Sequence, residues 1–388
     1  MKKKRTKKSA KRMLILSVKA GAGHLRAAQA LAEACEKNHP EIEVRHINAL
    51  EHTNAVFRNA FSEGYEILTR NLPSVWGMIY ENMETRESKE RLNKIRNMFS
   101  KMNGIALRKV VKDYDPDWIV CTHYMPAKAL GQARLDGKLS APLGVVMTDY
   151  DFHVLWIQKG TDIYFVSSEE MAFALGSRAG PSVQIKITGI PVLEAFQKQY
   201  PPGPELKSAL GFKPDLPLLL VLAGGFGLIP VDKFVGVMAE KLKGVQILVI
   251  SGSHERLKKK VDKISQIYPD QIYSYGFVHT IHEFMAAADI VITKSGGLTS
   301  SECLVMGLPM VITKPIPGHE ERNATFILEN GAGIWVSTAD YLVYKVQQLL
   351  TKPERIEKMQ QAAKRIAKPN AARDIIDAMI HWETGCGK

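Results

Sequence analysis

Twice along this chain, short β-branched apolar runs alternate with helical patterns, and that alternation confines the fold more than any other feature. Such a rhythm predicts a parallel sheet with helices on both faces. The first series places strands at Leu14–Val18, Val44–Asn48, Trp118–Cys121, Leu143–Thr148, Ile163–Val166 and Gln184–Thr188. The second places them at Leu218–Ala223, Gln246–Ser251, Ile272–Tyr275, Ile290–Thr293, Met310–Thr313 and Gly333–Val336. Helical patterns at Ala339–Leu350, Pro353–Ala367 and Ala371–Trp382 close the chain. The expected fold class is α/β, with two Rossmann-like domains facing a cleft; 388 residues suffice for each to bury its own core.

The segment Tyr200-Pro201-Pro202-Gly203-Pro204 reads as an interdomain connection. The expected organisation is a basic tail at 1–12, a first domain at 13–190, a linker at 191–204, a second domain at 205–368 and a terminal segment at 369–388. Net charge matters here because of where it lies. Of the formal +12, eight positive charges fall in residues 1–12 with no acid among them, so the remainder carries +4. By composition the tail is expected to be disordered and suited either to an anionic partner, lipid or nucleic acid, or to solubility alone. Between Ala55 and Lys112 a helical stretch mixes Phe57, Phe61, Tyr65, Trp76, Tyr80 and Phe99 with Lys and Arg, which is unusual for a plain nucleotide-binding half.

The apolar stretch from Met13 ends at Lys19 and lacks a small-residue cleavage site, so it does not read as a secretory signal. The next longest apolar run, Leu216 to Ala223, falls well short of the roughly 20 residues of a spanning helix. Cys35, Cys121, Cys303 and Cys386 form no C-x-x-C pair and no cluster with histidine, so no zinc site or disulfide framework is expected, in keeping with the reduced cytosol.

Ligands of such sheets bind beyond the carboxyl ends of the strands, so chemistry is sought in the loops that follow them. Lys19-Ala20-Gly21-Ala22-Gly23-His24 follows the first strand and opens a helix, but Arg26 stands where a dinucleotide fingerprint has its third glycine. What the loop offers is His24, suited to proton abstraction near neutral pH, or alternatively to capping the helix. Cys121-Thr122-His123 and Thr148-Asp149-Tyr150-Asp151-Phe152-His153 bring further His and Asp groups to the same sheet edge; a D-x-D triplet such as Asp149 to Asp151 could also hold a divalent ion. In the second series, Ala223-Gly224-Gly225-Phe226-Gly227 and Lys294-Ser295-Gly296-Gly297-Leu298-Thr299-Ser300-Ser301-Glu302 each follow a strand and open a helix, an arrangement that cradles phosphate. Glu302 could accept hydrogen bonds from ribose hydroxyls, and Pro317-Gly318-His319-Glu320 with Asn323 adds polar groups beyond the next strand.

Taken together these loops resemble the monogalactosyldiacylglycerol synthases and processive diacylglycerol β-glucosyltransferases, relatives of the transferase that adds N-acetylglucosamine to the peptidoglycan lipid precursor. The family's G-x-G-H loop matches Gly21 to His24, its T-D-x-x-x-H-x-x-W motif matches Thr148, Asp149, His153 and Trp156, and T-G-I-P-V matches Thr188 to Val192. S-G-G-L-T-x-x-E matches Ser295 to Glu302, and P-G-Q-E-x-x-N matches Pro317, Gly318, Glu320 and Asn323, with His319 where the family usually has Gln.

The resemblance implies a GT-B fold with an acceptor-binding first half, a donor-binding second half and a last helix crossing back to the first domain. By it, His24 is the base, with Asp149 as alternative or orienting partner, and Gly23, His123 and His153 lie on the acceptor side. Uridine is expected near Phe277 and Val278, ribose on Glu302, the diphosphate on Gly225, Gly227 and the Ser295, Gly296, Gly297, Leu298, Thr299 loop, and sugar hydroxyls on His319, Glu320 and Asn323. Helix-start amides would stabilise the leaving diphosphate, so no metal and no cofactor is expected beyond the UDP-sugar itself. The expected reaction is an inverting transfer of a hexose to diacylglycerol, from UDP-glucose rather than UDP-galactose, although His319 falls at a sugar-contacting position. The basic and aromatic segments would then meet an anionic membrane surface, with no nucleic acid, and the protein would be cytoplasmic, peripheral on the inner face of the cell membrane. A UDP-sugar epimerase or a non-catalytic UDP-sugar-sensing regulator at the membrane would use the same loops without turnover onto lipid.

Overall fold

The computed structural model describes residues 10–19, 21–54, 58, 78, 104–181, 183–224 and 231–382. Residues 1–9, Trp76, Tyr80, Lys89, Arg91, Lys94, Arg96, Phe99, Lys101, Gly225, Gly227 and Cys386 lie outside the described set. The chain forms two compact units, which divide after Glu194; the second runs from Ala195 to Lys368, and from Pro369 the chain belongs to the first again.

The first unit holds β1 (Lys11–Ser17), β2 (Ile42–Asn48), β3 (Trp118–Cys121), β4 (Leu143–Val146), β5 (Ile163–Val166) and β6 (Gln184–Ile187) in the order β2-β1-β3-β4-β5-β6, all parallel. The second holds β7 (Leu218–Leu222), β8 (Gln246–Ile250), β9 (Ile272–Tyr275), β10 (Ile290–Thr293), β11 (Met310–Thr313) and β12 (Gly333–Val336) in the order β12-β11-β10-β7-β8-β9, again all parallel. Strand order reverses between β1 and β3 in one sheet and between β7 and β10 in the other. These are the switch points at which ligands of open α/β sheets bind.

One expected boundary is corrected. The tail was expected to reach Arg12, but β1 begins at Lys11, where it pairs with Ile42. Asp117 accepts the Arg12 main-chain N–H at 2.8 Å, and the Arg12 guanidinium donates to the Tyr114 carbonyl at 2.7 Å, so these two basic residues are sheet rather than tail. The division between the units falls within 191–204, the segment read as the linker, which contains a 3-10 turn at Glu194–Gln197 and the start of the helix Gly203–Ala209.

Helices cover both faces of the first sheet. Leu14, Leu16, Val145 and Tyr164 point to a core with Leu107, Val111, Leu130 and Leu175. Met13, Ile15, Val120, Val146 and Phe165 point to the other, with Leu31 and Cys35 of the helix Gly23–Asn38 and Ile375, Ile376 and Met379 of the last helix, Ala371–Ile380. Alternation of neighbouring residues between two apolar faces is what buried parallel strands require.

The amino ends of both sheets share one device. Asp117, Asp162 and Asp289 each stand immediately before a strand and accept the N–H of a residue at the start of the neighbouring strand, namely Arg12, Leu143 and Leu218, at 2.7 to 2.8 Å. Each is also paired with a cation: Lys11 at 3.6 Å, Arg134 at 2.7 Å and Lys207 at 2.7 Å. Charge at that edge is thus spent on closing the sheets, and it leaves the carboxyl edge for chemistry.

Candidate active site

In the first unit the carboxyl edge gathers an aromatic and histidine cluster from three loops. His24 is the second residue of the helix Gly23–Asn38, whose N-cap is Ala22 and carries no side-chain cap. The capping alternative for His24 therefore does not apply; its ring reaches across the switch point instead. Its Nδ1 lies 2.7 Å from the Thr122 main-chain carbonyl and 3.0 Å from Thr148 Oγ1. A carbonyl oxygen can only accept, so Nδ1 carries the proton and Nε2 the lone pair. Thr122 also holds the His24 backbone, its Oγ1 donating to the His24 carbonyl at 2.9 Å. The signals for Thr122 and Thr148 were present in the sequence as polar residues that follow β3 and β4, but their task of setting the His24 tautomer depends on tertiary contact.

His123 and His153, unlike His24, do cap helices. The Nδ1 of His123 accepts from Met125 N at 3.2 Å at the start of Tyr124–Leu135, and that of His153 from Leu155 N at 3.2 Å at the turn Val154–Trp156. Both rings thus carry their proton on Nε2. The His123 ring sits edge-on to His24 with centroids 4.7 Å apart and stacks on Tyr124 at 4.3 Å, while Trp156 closes the cluster at 6.2 Å from His24 and 6.3 Å from His153. Burial, with the charges of His24 and His153, pushes the His123 pKa well below its ordinary value. Asp149 follows Thr148 directly, is half-buried, and accepts from Ser167 Oγ at 3.0 Å through its main-chain carbonyl. Gly23 precedes His24 at the first position of the helix.

The depressed His123 pKa has a sign that can be measured. A neutral folded histidine contributes stability above its unfolded pKa of about 6.5, and this is lost as pH falls below that value because the unfolded chain binds the extra proton. Thermal denaturation between pH 7.5 and 5 is expected to show a fall in stability of up to about 1.4 kcal/mol per pH unit from this residue, and His123→Phe is expected to flatten the profile. An unchanged slope in the variant would refute the assignment. His46, also lowered by burial, adds a smaller effect of the same sign.

In the second unit the candidate residues occupy loops after β7, β9, β10 and β11, all at the carboxyl edge. Gly224 follows β7 with φ of +71°, a conformation that favours glycine. Phe277 and Val278 follow β9, the edge strand, with Phe277 exposed and edge-on to His279 at 5.0 Å. After β10, Ser295 and Gly296 lead into the helix Gly297–Met306, which also carries Leu298, Thr299 and Glu302; its N-cap is a glycine and its first turn has no acidic residue. Glu302 is buried on that helix. After β11, Gly318, at φ +91°, turns the chain into the helix His319–Glu329, and its N–H donates to Glu321 Oε2 at 3.0 Å. His319, at the first turn, is half-buried.

The loops after β10 and β11 are tied to each other. Lys294 Nζ donates to Glu320 Oε1 at 2.6 Å, Ser295 Oγ to the Glu320 carbonyl at 2.6 Å, and Asn323 Nδ2 to the Ser295 carbonyl at 3.0 Å. Glu320 Oε2 accepts Ile316 N–H at 2.8 Å. Glu320 and Asn323, expected to meet sugar hydroxyls, thus also brace the phosphate-type loop, and Lys294 joins the site without having been singled out as a ligand from the sequence. Among the described residues, no group of three or more His, Cys, Asp or Glu comes together as a metal site.

Residues 24–192 match the family model for monogalactosyldiacylglycerol (MGDG) synthase, and residues 219–379 match the glycosyltransferase family 28 C-terminal domain. The first part of the chain is thus similar to monogalactosyldiacylglycerol synthases and the second to the family 28 glycosyltransferases. The chain is 28% identical over 380 residues to a processive diacylglycerol beta-glucosyltransferase of Bacillus licheniformis, covering 95% of this chain and 94% of the relative. It is 27% identical over 381 residues to the protein of the same name from Bacillus subtilis, covering 95% of each. Its fold is that of GT-B enzymes. Acinetobacter baumannii MurG superposes with a TM-score of 0.64 at 16% identity, covering 96% of this chain and all of that one. The UDP-GlcNAc 2-epimerase of Neisseria meningitidis bound to UDP-GlcNAc superposes with a TM-score of 0.63 at 16% identity, covering 95% and 99%. At such identities the likeness establishes the fold alone, and it is shared by a transferase and an epimerase alike.

Proposed function

We propose that this glycosyltransferase transfers a hexose, glucose in preference to galactose, from a UDP-sugar to the hydroxyl of diacylglycerol with inversion at the anomeric carbon. The observation that carries the proposal is the His24 tautomer: Nδ1 donates to the Thr122 carbonyl, so a basic Nε2 stands at the switch point of the first unit. The acceptor oxygen attacks the anomeric carbon as its proton passes to Nε2, and the bond from that carbon to the UDP oxygen breaks with its electron pair on the diphosphate. First-turn amides of Gly297–Met306 suit stabilisation of that charge. The names of the Bacillus relatives support a diacylglycerol acceptor and glucose as the sugar. His319 remains the position at which sugar selectivity is best probed.

The decisive assay incubates the purified protein with radiolabelled UDP-glucose or UDP-galactose and diacylglycerol vesicles. Label in the lipid phase supports the proposal. Epimerised nucleotide sugar would favour the epimerase instead, and bound donor without product the sensing regulator.

No described helix is long and apolar enough to cross a membrane. The basic residues among 1–10 support peripheral attachment to an anionic inner face. Each basic residue near such a surface contributes about 1 kcal/mol in a salt-dependent way. Deleting residues 1–10 is expected to weaken binding to anionic vesicles at least about tenfold at low salt, read by co-sedimentation; unchanged binding would defeat the tail's role.

A further inference from the structure

Lys294 is a largely buried cation of the second unit, paired with Glu320. It follows the strand β10 directly, and its side chain lies across the turn after β7: a Cβ on Gly224 would stand 2.8 Å from Lys294 Cε and 3.9 Å from Nζ. β7 and β10 flank the switch point, so the ammonium lies at the crevice where ligands of such sheets bind, one turn from the start of Gly297–Met306. The Lys294 side chain is 14% exposed and that of Glu320 3%. Among the described residues its hydrogen-bond partner is Glu320 Oε1 at 2.6 Å, while an ammonium has three N–H donors. Glu320 is itself fixed at Oε2 by Ile316 N–H and at its carbonyl by Ser295 Oγ.

A buried ion pair contributes little net stability compared with an apolar pair of the same shape, because both charges are desolvated. Stability therefore does not account for the arrangement. A lysine held at its tip by an immobile carboxylate, with donors remaining beside two glycine turns, is suited to an anion. We infer that Lys294 contacts the diphosphate of the nucleotide donor, and that Glu320 acts as its positioning residue rather than solely as a ligand of the sugar. The inference rests on the UDP-sugar reading above and assigns the diphosphate a side-chain partner in addition to main-chain amides. Gly224 serves the same purpose, since any side chain there would meet the lysine stem.

The test is calorimetric titration of the full chain with UDP, UDP-glucose and, by competition, uridine. Lys294→Met combined with Glu320→Gln leaves no unpaired buried charge, so the fold is retained, as a melting temperature within a few degrees of wild type would verify. In that double variant the Kd for UDP is expected to rise at least about tenfold, a change of about 1.4 kcal/mol, with uridine binding unchanged. Lys294→Arg is expected to recover part of the loss. Glu320→Gln alone is expected to weaken UDP and UDP-glucose by similar factors, because it acts through the ammonium. Unaltered UDP affinity in the double variant, equal loss for uridine, or loss in Glu320→Gln confined to UDP-glucose would each overturn the inference. Failure of the wild-type protein to bind UDP would overturn the donor reading itself, an outcome distinct from wild-type binding that the variants leave intact.

Discussion

His24→Ala is expected to lower kcat for glycosyl transfer at least about a hundredfold, the low end for loss of a general base. The ring packs edge-on to His123 and is half-buried at the carboxyl edge, and the first turn of its helix is not capped by it. Its Nδ1 is committed to the Thr122 carbonyl, which leaves Nε2 as the only ring nitrogen able to accept a proton. UDP affinity should remain near wild type, because the residues proposed to hold the donor belong to the other unit. Single-turnover transfer and UDP titration on the same preparation check both halves. Near-normal turnover would reject His24 as base and turn attention to Asp149, which lies one residue beyond Thr148.

Asp289→Ala is expected to destabilise the second unit by about 3 kcal/mol, the lower end for breaking a buried ion pair, since Asp289 itself is 38% exposed. Its Oδ2 accepts both Lys207 Nζ and the first N–H of β7 at 2.7 Å. Removing it strands an ammonium that is 7% exposed with, among the described residues, the Leu216 carbonyl at 3.1 Å as its remaining partner, and leaves a strand-end amide unsatisfied. For a unit of this size the expected fall in Tm is about 6–12 °C. Lys207→Met in the Asp289→Ala background should recover much of it, since the stranded charge is then gone. The site lies at the amino edge, so UDP affinity measured well below Tm should be unaffected. A loss under about 1 kcal/mol, or no recovery in the double variant, would show that the pair is effectively surface-exposed and screened.

Much of the fold was legible because buried parallel strands must be apolar on both faces and helices must follow a different period. Ile163–Val166, Ile272–Tyr275, Ile290–Thr293, Met310–Thr313 and Gly333–Val336 fall where the sequence pattern puts them, residue for residue. The start of β1 did not. Lys11 and Arg12 look like a continuation of the basic tail, and nothing local marks them as strand; Asp117, more than a hundred residues away, supplies the partner that draws them into the sheet.

The candidate site divides along the same line. Because the loop positions follow from strand order, and strand ends carry Gly, His, Asp and Ser in recognisable strings, the sequence by itself determined that His24, His123, His153 and the Ser295–Glu302 segment lie at carboxyl edges. Only the tertiary structure decided what each group does there. His24, expected as the base, became a ring held by a main-chain carbonyl, and His123 and His153, expected on the acceptor side, became helix caps; Lys294, one residue before a recognisable motif, became a buried cation clasped by Glu320. The physical reason is that a side chain's protonation state and donors are set by the few atoms within hydrogen-bond reach, and for His24 and Lys294 those atoms come from loops far along the chain: 98 and 124 residues for His24, 26 for Lys294.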